Sequence, residues 1–116
     1  MAGRREKLRR VGIIPEYRGF TPDGLASGDA IDMTVDELEV LRLCDLEGLN
    51  QEAVAQQMGI ARATVAAICN RAHRKVADAL VNGRALVIEG GNIAYSPTAT
   101  TTAAWPAKEV GTMRVA

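Results

Sequence analysis

The stretch "LNQEAVAQQMGIARATVAAICNRAHRK", residues 49–75, decides the fold. Its apolar residues keep helical spacing on both sides of one Met58-Gly59-Ile60 break. Asn50 is a good N-cap for a short helix through Ala53, Val54, Gln57 and Met58, and Gly59 ends it. A longer helix starts near Arg62, with an inward stripe of Val65, Ile68, Cys69, Ala72, Val76 and Leu80 reaching Asn82.

Upstream, "TVDE" at residues 34–37 is a capping box, in which the Thr34 hydroxyl and the Glu37 carboxylate satisfy each other's backbone donors. Asp36, Glu37 and Glu39 also lie where the helix dipole favours negative charge. Val35, Leu38, Leu41, Leu46 and Leu49 broadly follow helical spacing, with Leu43 and Cys44 nearby, so this helix has one buried stripe and one acidic face until Gly48 stops it. Glu16 to Met33 reads as an irregular loop punctuated by Gly19, Pro22, Gly24 and Gly28. "VGII", residues 11–14, reads as a short edge strand stopped by Pro15. After Gly83, "ALVIE" and "NIAY" flank Gly90-Gly91, which predicts a small hairpin beside the helices, with "VGII" as a candidate partner.

The 116 residues suffice for one small domain. Hydrophobic content is 47%, but only one Phe, two Tyr and one Trp occur, so the core must be aliphatic. The expected fold is mainly α: a three-helix helix-turn-helix core with a small β-hairpin and flexible termini. Residues 1–10 form a flexible basic arm in this division, 11–95 the folded domain, and 96–116 a disordered Thr-, Ala- and Pro-rich tail containing Trp105. No apolar run is long enough to cross a bilayer and no apolar segment follows the first arginines, so the chain reads as cytoplasmic, with no membrane association.

Net charge is zero, but residues 1–22 hold six basic against two acidic residues, 23–52 one against nine, and 53–84 five against one. Basic blocks thus flank an acidic one, and such a molecule can present a positive face to a polyanion. Two short helices around a glycine turn make a helix-turn-helix, whose second helix enters the DNA major groove. Gly59 supplies the sharp turn, Ile60 plugs it into the core, and Ala53 is small where the helices approach.

The pattern from Leu49 to Leu80 resembles the promoter-recognition helix-turn-helix of bacterial sigma factors. Over residues 9–91 the chain is more similar to the prokaryotic family called domain of unknown function 134. "RRVGIIPE", "VDELE.LRL.DLEGL" and "KVADALVNGRALVIEGG" carry that resemblance. It implies a DNA-binding protein, and with it transcriptional regulation. This sequence departs from the family where DNA would be read: Ala61, Ala63, Ala66 and Ala67 stand where a serine and polar residues are usual. Alanine cannot make the bidentate bonds that separate guanine from adenine, although Ala66 and Ala67 can meet thymine methyls. Arg62 is placed for a guanine edge or a phosphate, Thr64 for a phosphate, and Asn70 for an adenine edge. Arg71, Arg74 and Lys75 suit backbone phosphates. The arm residues Arg4, Arg5, Lys7, Arg9 and Arg10 suit an adjacent minor groove.

Enzymatic function is not expected. His73 is the one histidine, the only serines are Ser27 and Ser96, and no phosphate-cradling glycine loop precedes a Lys-Ser/Thr pair. Cys69 and His73 stand four apart, with Cys44 a conceivable third ligand. With no fourth ligand evident, the two thiols are read as buried hydrophobes, and no metal or cofactor is expected. Double-stranded DNA is the expected partner. A two-fold homodimer is compatible with it, although no heptad seam is legible. The alternative is a protein-interaction or dimerisation module whose alanine face docks a partner helix.

Overall fold

A computed structural model describes residues 8–24 and 26–97. Arg4, Arg5, Lys7 and the tail beyond residue 97, Trp105 included, lie outside the described residues. The elements run β1 (Arg9–Val11), β2 (Gly19–Phe20), β3 (Ile31–Met33), α1 (Val35–Val40), α2 (Gln51–Met58), α3 (Arg62–Asn82), β4 (Leu86–Ile88) and β5 (Ile93–Tyr95). The chain is thus mainly helical with a small β part.

Local signals place the helix ends. Thr34 Oγ1 accepts from the Glu37 amide at 3.3 Å and the Glu37 carboxylate accepts from the Thr34 amide at 3.0 Å, completing the capping box. The Asn50 side chain accepts from the Ala53 amide at 2.9 Å and opens α2. Gly59 and Gly83 close α2 and α3 in left-handed backbone conformations.

The first helix does not remain an α-helix. From Leu41 to Leu46 it widens into a π-helical turn, whose 2.9 Å bond from the Glu47 amide to the Arg42 carbonyl spans five residues. Val40, just before the wider turn, is buried; the turn shifts the helical phase after it, so Leu43 points inward while Leu46 is 53% exposed. The expected stripe through Leu46 is corrected on that account. On α3, Ala79 occupies the inward position expected of Leu80, which is 77% exposed.

Two aliphatic clusters form the core. Val40, Leu43, Val54, Ala55, Met58, Val65 and Ile68 make the first, and Val11, Met33, Val35, Ala72 and Ile88 the second. Helix α3 contributes to both, so it is the spine on which α1, α2 and the strands are hung. Ala55, rather than Ala53, is the alanine buried in the first cluster, and Ala53 is only half-buried.

The expected hairpin does not form. β4 and β5 belong to different sheets: β5 pairs in parallel with β1, Ile93 opposite Arg9, whereas β4 lies between β2, antiparallel, and β3, parallel. Gly90 and Gly91 do take positive φ angles, but the Gly90 carbonyl accepts from the Val35 amide at 3.0 Å. The turn therefore carries the chain past the start of α1 instead of folding it back. The region read as an irregular loop holds β2 and β3, and the strand expected at "VGII" begins earlier, at Arg9. Gly19 allows β2 to approach β4, since a Cβ there would run into the Leu86 carbonyl.

Candidate functional site

The arrangement of α2 and α3 depends on a few contacts at their junction. Val54, Ala55 and Met58 of α2 pack with Val65 and Ile68 of α3. Ile60 is half-buried against the same cluster. Gly59 turns the chain at φ 73°, and its Cα lies against Arg10, whose Nη1 is 2.9 Å from where a Cβ would sit. Arg10 donates from Nε to the Gln57 carbonyl at 3.0 Å and from Nη2 to the Gln56 carbonyl at 2.9 Å. It thereby satisfies carbonyls at the end of α2 that the helix leaves open, and it sits at the favourable pole of the dipole.

Helix α3 presents a mixed small and basic face. Ala61 precedes it in extended conformation without a side-chain cap. Ala61, Arg62, Ala63, Ala67, Asn70, Arg71 and Arg74 are exposed, and Thr64, Ala66 and Lys75 are half-buried. Among the described residues, Arg62 and Arg74 have no ion-pair partner, so both remain able to meet an external anion.

Arg9 and Arg10 do not belong to a flexible arm. Both lie in β1; Arg9 Nη1 reaches Asp36 Oδ2 at 2.9 Å, and Arg10 is held at the end of α2. The expected flexible arm is corrected to that extent: Arg9 and Arg10 belong to the folded domain.

The acidic face of α1 is also corrected: Asp36, Glu37 and Glu39 are buried. Each has internal partners, as burying a charge requires. Glu39 accepts from the Gly12 amide at 2.9 Å and pairs with Arg42, Nη2 to Oε2 at 2.8 Å, while Arg42 Nη1 reaches Glu47 at 2.8 Å. Glu37 receives Lys75 Nζ on Oε1 at 2.8 Å and Arg71 Nε on Oε2 at 3.2 Å, beside its bond to Thr34. Burial opposes the Glu37 charge, but the bonds from Lys75, Thr34 and Arg71 outweigh it and hold the carboxyl below its ordinary range. Arg71 and Lys75, expected as phosphate ligands, are thus tethered to α1. Arg71, Arg74, Lys75 and Asp78 line one cleft of about 430 Å³.

Sequence reading missed Glu37 as a partner of α3. The capping box accounted for it locally, and the excess of acids in residues 23–52 over either basic block was the available signal.

The cysteines do not form a reactive centre. Burial pushes the Cys44 thiol up to about 11, with Cys69 and Asp45 adding to the shift. Burial and Asp45 raise Cys69 as well. Both thiols are therefore protonated at neutral pH, when only thiolates react readily. Cys69 Sγ lies 3.8 Å from His73 Nε2, which is 2.7 Å from Asp45 Oδ2. Among the described residues no group of three or more His, Cys, Asp or Glu is arranged to hold a metal. No helix among them is long and apolar enough to cross a membrane.

Residues 1–96 match the family described as "Protein of unknown function DUF134". A UPF0251 protein of Caldicellulosiruptor bescii is 48% identical over 89 residues, covering 77% of this chain and 63% of that protein. A UPF0251 protein of Prosthecochloris aestuarii is 48% identical over 92 residues, 78% of this chain and 59% of the relative. One of Desulfitobacterium hafniense is 49% identical over 87 residues, 73% of this chain and 70% of the relative. The chain spans about three fifths of the length of the first two of these relatives. No solved structure matches. The chain belongs to the DUF134 family.

Proposed function

We propose that this member of the DUF134 family binds duplex DNA in the cytoplasm through a helix-turn-helix formed by α2 and α3, and acts as a transcriptional regulator. The observation that carries the reading is the outer face of α3. From Ala61 to Arg74 it exposes no large apolar side chain and bears Arg62 and Arg74, which have no ion-pair partner among the described residues, while α2 braces its other side. A helix that enters the major groove needs this combination of a close-approaching face and positive charge. Arg62 and Asn70 are the residues with base-reading chemistry. Thr64, Arg71, Arg74 and Lys75 address phosphates, and Ala66 and Ala67 offer methyl groups to thymine.

The test is sequencing of genomic fragments retained by the protein at near-physiological salt. An enriched motif is expected, with bound fractions falling as salt rises. Retention without enrichment would leave a nonspecific binder, and no retention would remove the proposal.

One observation favours a second reading as a dimerisation or protein-interaction module. Leu80 and Val81, near the end of α3, are 77% and 79% exposed, and large apolar side chains left uncovered side by side invite a partner. Mass measurement by light scattering, with and without duplex DNA, separates the readings. A stable dimer indifferent to DNA would favour the second.

A further inference from the structure

The Glu37 carboxylate, rooted at the start of α1, reaches across to α3 and holds two cations at once. Neither cation is used up. Arg71 gives only Nε to Glu37, so its four Nη hydrogens remain, and Lys75 gives one of three ammonium hydrogens. The Arg71 side chain is 53% exposed and that of Lys75 29%. Arg74 stands between them in sequence with no ion-pair partner among the described residues. Positions 71, 74, 75 and 78 recur at the spacing that puts side chains on one helix face, and all four line the same cleft. Asp78, the acid among them, is occupied by Arg84 at 2.9 Å and by Asn82 at 2.7 Å.

We propose that Glu37 is a positioning residue for a phosphodiester-binding cleft made by Arg71, Arg74 and Lys75, in which the buried carboxylate sets the two flanking cations and Arg74 completes the clamp. The proposal rests on the duplex-DNA reading of α3 and adds to it a residue that never touches DNA. Long basic side chains lose rotamer freedom when they bind, and a preset guanidinium and ammonium lose less. The carboxylate also reduces the positive field near the cleft, so positioning and charge act in opposite directions. Neutralising Glu37 strengthens DNA binding if only its charge matters, and weakens it if it aligns the clamp.

The experiment is a salt titration of duplex binding by the full chain, comparing wild type with Glu37→Gln, Glu37→Asp and Arg74→Gln, with helicity monitored by circular dichroism. Glutamine still supplies the acceptor of the capping box, so α1 keeps its start. Aspartate keeps the charge but is one methylene too short to hold both cations. Arg74→Gln is expected to make the slope of log affinity against log salt shallower by roughly 0.9, the value for one lost phosphate contact. Both Glu37 variants are expected to bind several-fold more weakly, with slopes shallower by up to about twice that amount.

Glu37→Gln binding as tightly as wild type or tighter, Glu37→Asp with an unchanged slope, or Arg74→Gln with an unchanged slope would each overturn the proposal. Loss of helicity in both Glu37 variants would assign the carboxylate to stability alone and overturn it too. Failure of the wild type to bind any duplex is a different result, because it overturns the DNA reading itself.

Discussion

Helix α1 places three carboxylates among its first five residues and buries all of them, while α3 opens on alanines and leaves most of them in solvent. Composition alone suggests the reverse, an acidic helix facing water and an alanine helix facing the core. The difference lies in partners. Asp36, Glu37 and Glu39 have cations or amides within bonding distance, so burial does not leave their charges uncompensated. The alanines are exposed because Val65, Ile68 and Ala72 already fill the inward positions of α3. Charge counted along a chain is therefore not surface potential: among the described residues Arg9, Arg42, Arg71, Lys75 and Arg84 are engaged by acidic side chains, whereas Arg62 and Arg74 are in no ion pair.

The sharpest way to break this contrast is to remove a cation from each side. Arg42→Ala strips Glu39 and Glu47 of their counter-ion, and leaving a buried carboxylate unpaired costs about 3–5 kcal/mol. Against a typical total of about 5–15 kcal/mol, chemical denaturation should show a large loss of stability or no folded state. Arg74→Ala, on the exposed side, should stay within about 0.5 kcal/mol of wild type in the same assay.

The exposed side has its own test. Arg62→Ala should leave the fold intact and reduce affinity for the retained DNA motif by about 1–3 kcal/mol if Arg62 meets a guanine edge. An equal loss on unrelated duplexes would place Arg62 on a phosphate instead.

Acid sharpens the contrast from the buried side. The Glu37 pKa is lowered in the fold, so its contribution to stability is complete above the ordinary glutamate value and is lost as pH falls through the lower folded value. As pH falls through the ordinary glutamate value and below it, wild type should therefore lose stability more steeply than Glu37→Gln, as measured by urea unfolding at each pH. Parallel curves would mean that the carboxylate gains nothing from Lys75 and Arg71.

The smallest effect concerns the alanines. If Ala66 and Ala67 meet thymine methyls, replacing the contacted thymine by uracil should weaken binding by about 0.8 kcal/mol per methyl. No change on substitution at any thymine of the motif would remove the alanines from the reading surface.

The features legible in the sequence had short reach. The Thr34–Glu37 box, the Asn50 cap and the turn at Gly59 each depend on groups within a few residues, and each forms as read. Most of the α3 stripe was legible for the same reason, failing at Leu80, where Ala79 turns inward. The features missed had long reach or broke a period. The bonds from Glu37 to Arg71 and Lys75 join residues far apart in the chain, and no local pattern announces them; the pairing of β1 with β5 was legible as a partnership of "VGII" with "NIAY", but not its start at Arg9. The π-helical turn changes the period itself, which is why a stripe drawn at α-helical spacing through Leu46 ends in solvent. Of the candidate site, the exposure of Arg62, Ala67, Asn70 and Arg74 was legible from helical phase, whereas the tethering of Arg71, Lys75, Arg9 and Arg10 was not.

The most direct test of the central claim is fluorescence anisotropy of a duplex taken from the retained genomic fragments, titrated with wild type and with an Arg62→Ala/Arg74→Ala double variant over a series of salt concentrations. Wild type should bind with an affinity that falls steeply as salt rises. The double variant, folded by circular dichroism, should bind at least about tenfold more weakly, with a slope shallower by roughly 0.9 for each phosphate contact removed. Equal affinity and equal slope for the two proteins would contradict the claim that α3 is the surface that meets DNA.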